Sequence, residues 1–467
     1  MFVGREKELS LLEQKYGSGK FEFVVIYGRR RVGKTELIRR FIQDRRAIYY
    51  VGIESNAGQN LENLSRAIAE ADAGTAEGAV FVSFQAALEH VFQLSQGERL
   101  ILAIDEYPYV ARSEQSFASV LQRLIDQYRE TSRLMLILCG SSMSYMEDHV
   151  LAYKAPLYGR RTGQLKIEPF GFAEAIRCFS RFSDEDLALA YGIAGGTPQY
   201  LLQMDDRLSV EDNIKNTFLN PGSFLYEEPE NLLKQEVREP AVYTAVISAV
   251  AAGAGRLSEI AGKIGEGTSA CTLYLRNLQS LGLIRRETPY GEKKTRRSHY
   301  VVKDNMFRFW YRFIPGNQSL IVRGGADSVY RRIAPQLPDY MGRVFEEICA
   351  EYLWYLLLKG KMPVEFQDLG RWWGTDPATR RQEEIDLMGE ENSKKAFFAE
   401  CKWTKEKADA GVLEKLARRS RLFPYTETEL YLFARTGFTE DCRRKAEEMG
   451  NVRLVSYGEM MEELRNH

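Results

Sequence analysis

The 467-residue sequence is poor in cysteine, with six, at Cys139, Cys178, Cys271, Cys349, Cys401 and Cys442, and no two form a CxxC pair. That scatter argues against a thiolate zinc site or a disulfide framework and suits reduced thiols. A basic-then-apolar leader is missing, because the chain opens on the polar stretch MFVGREKELS. No apolar run reaches the ~18 residues that a membrane-crossing helix needs. The expectation is a soluble cytoplasmic protein with no membrane partner. Net charge is almost absent, at −1, so any nucleic-acid surface must be a local patch. Internal repeats and low-complexity tracts are also missing. The length exceeds what one core supports and suggests about three domains.

What is present is a complete GxxxxGK[ST] phosphate-binding loop, Gly28, Arg29, Arg30, Arg31, Val32, Gly33, Lys34 and Thr35. Phe21 to Tyr27 reads as a buried strand before it and Glu36 to Gln43 as an amphipathic helix after it. That context separates a working loop from a chance match. The two glycines let the backbone aim its N–H groups at phosphate oxygens, and the helix N-terminus adds partial positive charge. Lys34 is expected to reach the β- and γ-phosphates and Thr35 to ligate Mg²⁺.

Further on, Arg99 to Glu106 (RLILAIDE) runs through unbroken apolar residues into Asp105 and Glu106. A buried strand ending in two carboxylates supplies the other half of such a site. Asp105 would hold Mg²⁺, and Glu106 would polarise the attacking water. Leu134 to Gly140 reads as another strand buried on both faces, ending in Ser141 and Ser142. Arg160, in the turn Tyr158 to Arg161, could reach a phosphate in cis or across a subunit interface, which makes a homo-oligomer a candidate assembly; a basic surface turn is the other reading.

The segments GREKEL, GRRRVGKT, LAIDEY, ILCGSS, LYGRR and GGTPQYLL occur in the order seen in archaeal-type ATPases of the AAA+/STAND group. Residues 1 to about 220 resemble that family. The resemblance implies ATP as ligand, Gly4 and Arg5 near the adenine, Ser141 as sensor and Arg160 as arginine finger. It also implies that Pro198 of Gly195-Gly196-Thr197-Pro198 packs near the adenine.

The middle of the chain reads as a winged helix. Ala241 to Ala252, Leu257 to Ile264 and Ser269 to Leu281 are its helices, with Leu273, Leu278 and Leu281 expected inward. Arg285 to Lys303 would be the wing, with seven basic residues against two acidic. That local excess fits DNA phosphate contacts, with Arg296 and Arg297 as the expected ones. A relay between domains is the competing use. The aromatic run Met306 to Ile314 is either a packed connector or a stacking platform for single strands, and residues 317–338 read as an irregular linker with helical turns.

From Met341 the composition changes. Met341 to Leu358 reads as an amphipathic helix with Phe345, Ile348, Tyr352 and Leu356 inward, followed by a strand near Val364 to Arg371. Gln382 to Met388 and Lys395 to Trp403 form an expected hairpin. With its turn centred near Asn392, Asp386 lies opposite Phe398 and diagonal to Glu400, and shares a face with Glu400 and Lys402. A slip of one residue would reverse Asp386, and the sequence leaves that register open. Two carboxylates and a lysine on one face suit a Mg²⁺-dependent nuclease, with Asp386 and Glu400 on the metal, Lys402 beside the attacking water, and Glu346 or Glu347 as a further ligand. The stretches GRVFE, EEIDLM and FFAECKW resemble the restriction-endonuclease-like PD-(D/E)xK domain of the DUF234 kind.

The expected architecture is therefore α/β: a P-loop NTPase with a parallel sheet (1–170), a helical lid (171–235), a winged helix (236–305), a connector (306–340) and a nuclease-like domain (341–467). ATP, Mg²⁺ and DNA are its expected ligands. The expected function is an ATPase that controls a DNA-acting nuclease. The alternative is a regulatory switch whose last domain only binds.

Overall fold

The computed structural model describes residues 2–72, 80–292, 295 and 297–465. The chain divides into two compact units, Met1–Pro169 with Thr197–Gln199, and Phe170–Gly196 with Tyr200–His467.

The first unit is built on a five-stranded sheet of β1 (Glu22–Tyr27), β2 (Ala47–Val51), β3 (Leu100–Asp105), β4 (Leu134–Gly140) and β5 (Gly163–Lys166). Its order is β2-β3-β4-β1-β5, and every pairing is parallel. A parallel sheet is covered on both faces, so its central strands cannot alternate apolar with polar. Accordingly β1, β3 and β4 are buried along their whole length. Phe23, Val25, Leu102 and Leu136 enter one core layer, and Val24, Ile26, Ile101 and Ile137 enter the other. The helices α1 (Glu6–Gly17) and α2 (Lys34–Ile42) flank the phosphate loop in sequence. Because β1, β4 and β3 are neighbours, their C-terminal ends bring three loops together, the usual ligand position in open α/β sheets.

In the second unit, α3 (Pro240–Ala251), α4 (Leu257–Ile264) and α5 (Thr268–Ser280) precede an antiparallel ribbon of β6 (Ile284–Glu287) and β7 (His299–Val302). Helices and ribbon follow the expected order. One inward residue is corrected: Leu273 is 53% exposed, while Cys271, Leu275 and Leu278 are buried. The buried set has the 4-then-3 spacing of one helix face, and Leu273 falls two residues off it. The aromatic run forms a helix, Asn305–Phe313, whose Phe307, Phe309, Trp310, Tyr311 and Phe313 are all buried. Phe309 packs edge-on to Phe218, and Trp310 donates its indole N–H to the Tyr226 carbonyl at 2.8 Å. That burial rules out a stacking platform for bases and leaves the packed connector. The helical turns expected in the linker at 317–338 are the helices Gln318–Val322 and Ala326–Ile333.

The unit ends in α6 (Leu337–Leu358) and a second five-stranded sheet. Its strands are β8 (Gly370–Thr375), β9 (Gln382–Glu390), β10 (Lys395–Lys402), β11 (Glu427–Ala434) and β12 (Val452–Ser456), in the order β12-β11-β10-β9-β8. β8 starts six residues later than the strand expected at Val364. Val364 and Phe366 are buried as core residues ahead of the strand, so their apolar signal marked packing and not pairing. The helix α7 (Ala410–Ser420) lies between β10 and β11 in sequence. The inward set of α6 stands as expected, with Phe345, Ile348, Tyr352 and Leu356 buried.

Candidate functional site

The phosphate loop is held from several sides within the first unit. Gly28 is fixed by close approach: a Cβ there would lie 2.3 Å from the Ile167 carbonyl oxygen. Gly33 has φ of +90°, a left-handed conformation that glycine adopts without cost, and the Pro198 ring lies 3.9 Å from where its Cβ would be. Arg29 donates to the Thr197 hydroxyl at 2.8 Å, Arg30 to the Tyr109 hydroxyl at 3.2 Å, and the Arg31 carbonyl accepts the Gln199 N–H. Val32 is core. The buried Arg5 guanidinium donates to the carbonyls of Val32 and Glu168, both at 2.8 Å. Gly4 precedes it with φ of +67°. Arg5 and Pro198 therefore sit against the loop itself.

The chemistry-bearing groups converge at the strand ends. Lys34 Nζ donates to the carbonyls of Gly28 and Arg29 at 2.8 and 2.9 Å. Thr35 Oγ1 donates to Asp105 Oδ2 at 2.6 Å. The Glu106 N–H donates to Asp105 Oδ1 at 2.9 Å, which helps hold Glu106 at a left-handed φ of +49°. Ser141 then donates to Glu106 Oε2 at 2.8 Å. Thr35, Asp105, Glu106 and Ser141 thus form one chain of hydrogen bonds. Hydroxyl and carboxylate oxygens at this spot are the donor set a hard cation such as Mg²⁺ takes. Arg160 stands apart from that chain, in a two-bond pair with Asp126 at 2.8 and 2.7 Å.

Sequence reasoning missed Tyr49. It pairs with Ala103 on the neighbouring strand, two residues before Asp105, so both side chains share a face. Its hydroxyl donates to Asp105 Oδ2 at 3.0 Å, the oxygen that Thr35 also uses. Burial and the adjacent Asp105 carboxylate push the Tyr49 hydroxyl well above its usual range, so it stays a donor. Tyr49→Phe is expected to weaken Mg²⁺ binding rather than nucleotide capture. The Mg²⁺ concentration for half-maximal hydrolysis should rise by roughly threefold to tenfold, as for loss of one hydrogen bond with a net worth of about 1 kcal/mol. A Mg²⁺ titration at fixed ATP reads this, and an unchanged midpoint would assign Tyr49 to packing alone.

In the second unit, β9 and β10 pair Met388 with Phe398 and Leu387 with Ala399. The expected pairing of Asp386 with Phe398 is thus two residues off. A two-residue shift keeps each side chain on its face, and Asp386 comes closer to Glu400 than expected. The cause is the turn, which lies over Glu391–Lys394 because β9 runs on to Glu390. Asp386 is 7% exposed and accepts the Cys401 N–H at 2.8 Å, and Lys402 donates to Glu400 Oε1 at 2.7 Å. Burial, with Glu400 and Glu346 nearby, pushes the Asp386 carboxyl up to about 7.

The carboxylates are nevertheless engaged by arginines. Arg419, buried on α7, donates to Glu400 Oε2 at 3.1 Å and to Glu383 Oε2 at 2.8 Å, and Arg418 donates to Glu383 Oε1 at 2.5 Å. Glu346 pairs with Arg343 at 2.7 Å and Arg371 at 3.4 Å. Among the described residues no group of three or more His, Cys, Asp and Glu side chains could hold a metal ion. As arranged, Glu346, Asp386 and Glu400 do not fit a Mg²⁺, which would have to displace Arg419 and Lys402 from Glu400. Arg419 was legible in one respect: it is an arginine on the stripe of Leu413 and Leu416, the buried face of α7.

A raised carboxyl has a stability consequence. Asp386 holds its proton in the fold to higher pH than in the unfolded chain, so its contribution is present below pH ~4 and is lost as pH rises through about 7. Asp386→Asn keeps an oxygen for the Cys401 N–H and has no charge to bury. It should flatten the stability profile between pH 4 and 7, read from urea midpoints at several pH values. A parallel profile in both proteins would contradict it.

Of the two residues expected to meet DNA, Arg297 is among the described residues. Arg296 lies outside the described residues. Arg297 is exposed but turned onto the protein, ion-paired with Glu292 and donating to the Trp373 carbonyl at 3.2 Å.

Two family models match the chain. An ATPase domain found predominantly in Archaea covers residues 2–204, and DUF234, described as archaeal and bacterial proteins of unknown function, covers residues 310–413. Uncharacterized protein MJECL04 of Methanocaldococcus jannaschii is 37% identical over 435 residues, 92% of this chain and 94% of that protein. Uncharacterized ATP-binding protein MJ0423 of the same organism is 48% identical over 46 residues, 10% of this chain and 78% of that protein. Among solved structures, the Walker-type ATPase PABY2304 of Pyrococcus abyssi aligns with a TM-score of 0.52 at 19% identity, over 67% of this chain and 96% of its own, a likeness of fold. With a relative matched along almost its whole length and both domain models in place, the chain belongs to the family of archaeal-type P-loop ATPases that carry a DUF234 domain.

Proposed function

We propose that this protein binds and hydrolyses ATP in its first unit and uses the nucleotide state to control a nucleic-acid-directed C-terminal domain. The observation that carries the ATPase reading is the hydrogen-bond chain from Thr35 through Asp105 and Glu106 to Ser141, beside Lys34. Lys34 and the loop N–H groups would bind the phosphates, Thr35 and Asp105 would hold Mg²⁺, and Glu106 would orient and deprotonate the attacking water while Ser141 fixes its carboxylate. Bound Mg²⁺ would supply positive charge to the phosphate oxygens. Arg160 is free to act across a subunit interface only after leaving Asp126. The three helices with their ribbon are read as a winged helix, the helices around 171–235 as a lid, and residues 341–467 as a PD-(D/E)xK-like domain.

For that last domain the arginines on Glu400 and Glu346 favour binding without cleavage. A nuclease is the second reading, favoured by the meeting of Asp386, Glu400 and Lys402. The deciding experiment incubates a panel of DNA forms with Mg²⁺ or Mn²⁺, with and without ATP. The expected outcome is salt-sensitive binding without strand scission. Metal-dependent scission that disappears in Lys402→Ala would establish the nuclease instead.

A further inference from the structure

One side of the ribbon lies against the C-terminal sheet, while Arg286, Gly291 and Arg297 are exposed. β8 is an edge strand, paired with β9 on one side only. Edge strands offer unpaired backbone groups that attract a further strand. Here two carbonyls in alternate positions, at Arg371 and Trp373, accept from the segment that joins β6 to β7: Tyr290 donates its N–H to Arg371 at 2.7 Å, and Arg297 donates to Trp373 at 3.2 Å. The Tyr290 hydroxyl accepts the Glu390 N–H at 3.1 Å, and the His299 and Trp373 rings lie 5.2 Å apart.

Beneath these contacts is a cavity of about 350 Å³, walled by the ribbon, α6, β8 and β9. Its cations are Arg285, Arg343 and Arg371, and its anions are Glu287, Glu346 and Glu347. The ribbon contributes one of each. Glu287 pairs with both Arg285 and Arg343, and Arg285 also reaches Glu347, at 2.9 Å. Glu347 keeps Arg308 in any case, at 2.8 Å. Withdrawing the ribbon therefore takes Glu287 away from Arg343, leaves Arg343 with Glu346, which it shares with Arg371 while Arg371 also reaches Glu384 at 3.5 Å, and frees two edge carbonyls. Ile284 and Val302 anchor the base of the ribbon in the core, but its contacts with α6, β8 and β9 are mostly polar and at least partly exposed, so water or another polar ligand can replace those.

We propose that the β8 edge and the cavity beside it are a docking site whose resident occupant is the chain's own ribbon, and that a polyanionic strand entering the domain displaces it. The docked ribbon is then a cover: it neutralises Arg343 and closes the Glu346 wall until a chain of phosphates offers those arginines a better partner. The displacement half of this rests on the nucleic-acid reading of the C-terminal domain. The docking half does not.

The test uses the full chain with Glu287→Gln and Tyr290→Ala combined, and Tyr290→Phe alone as the milder variant that loses only the hydroxyl. Amide hydrogen exchange over 343–350 and 370–374 reads the cover without any nucleic acid. Exchange in 370–374 should quicken about tenfold in the double variant and less in Tyr290→Phe, as expected for a local opening; unchanged exchange in both overturns the docking. Binding of a short duplex DNA at fixed salt reads displacement. The double variant should bind roughly fivefold to tenfold tighter than wild type, since it no longer has to lift the ribbon first. Faster exchange with equal or weaker DNA affinity overturns the displacement and leaves a static seam. No DNA binding by either protein overturns the nucleic-acid reading itself, with exchange still deciding whether the ribbon docks.

Discussion

Lys34→Ala is expected to abolish ATP hydrolysis and to weaken nucleotide binding together, whereas Glu106→Gln should keep nucleotide and lose turnover. The two split because the groups do different work. Lys34 sits buried at the mouth of the loop, with its ammonium on the Gly28 and Arg29 carbonyls. From there it exchanges carbonyl partners for phosphate oxygens, an interaction made in the ground state and strengthened as charge develops. Its loss should cost on the order of a hundredfold or more in turnover. Glu106 bonds to Asp105 through its N–H, to Tyr109 through its carbonyl and to Ser141 through its carboxylate, and none of these lies on the phosphate loop. Its amide replacement has the same shape and accepts the Ser141 hydroxyl, but it cannot take a proton from water. A loss of roughly 10²–10⁴-fold in kcat is expected, with nucleotide affinity held. Binding of a fluorescent ATP analogue beside steady-state phosphate release separates the two. Normal turnover by Glu106→Gln would remove it as general base.

The second large effect is on stability. Arg419→Ala should destabilise the C-terminal sheet, because Arg419 is a 5%-exposed cation shared by two carboxylates that are themselves nearly buried, Glu383 and Glu400. Removing one member of a buried ion pair leaves charge without compensation, and such deletions commonly cost about 3–5 kcal/mol. The expectation here is lower, roughly 2–4 kcal/mol, because Arg418 remains on Glu383 and Lys402 on Glu400. All five tryptophans lie between Trp310 and Trp403, so intrinsic fluorescence during urea unfolding reports the second unit alone. Adding Glu383→Gln to Arg419→Ala should recover part of the loss, by removing one of the stranded charges. A midpoint equal to wild type would mean that water already screens this cluster.

Much of the first unit was legible because its signals are local and mutually consistent. A continuous apolar run before a glycine loop admits few structures besides a buried parallel strand, and Leu134 to Gly140 appears as a strand with the expected ends. Tyr49 was not legible, since its role depends on which strand lies beside β2, and one sequence does not print strand order. In the hairpin the face of Asp386 and Glu400 could be anticipated from alternation, yet the pairing depended on where a turn closes. Arg371 and Arg419, which reach Glu346 and Glu400, come from β8 and α7, distances in sequence that periodicity does not span. The basic stretch Arg285 to Lys303 shows the same limit: its charge could be counted, but its hydrogen bonds to the β8 edge could not be foreseen.

The three residues Thr197–Gln199 belong with the first unit although the chain around them belongs to the second. A fragment cut at residue 170 would therefore carry the whole GxxxxGK[ST] motif and still lack part of its cradle. Arg29 would lose the Thr197 hydroxyl, Gly33 its proline neighbour and Arg31 the amide of Gln199. Splicing by motif thus gives an ATPase piece that looks intact on paper and is short of three side contacts in solution. The separable functional part of this molecule is a set of contacts, and it does not coincide with any continuous stretch of its gene.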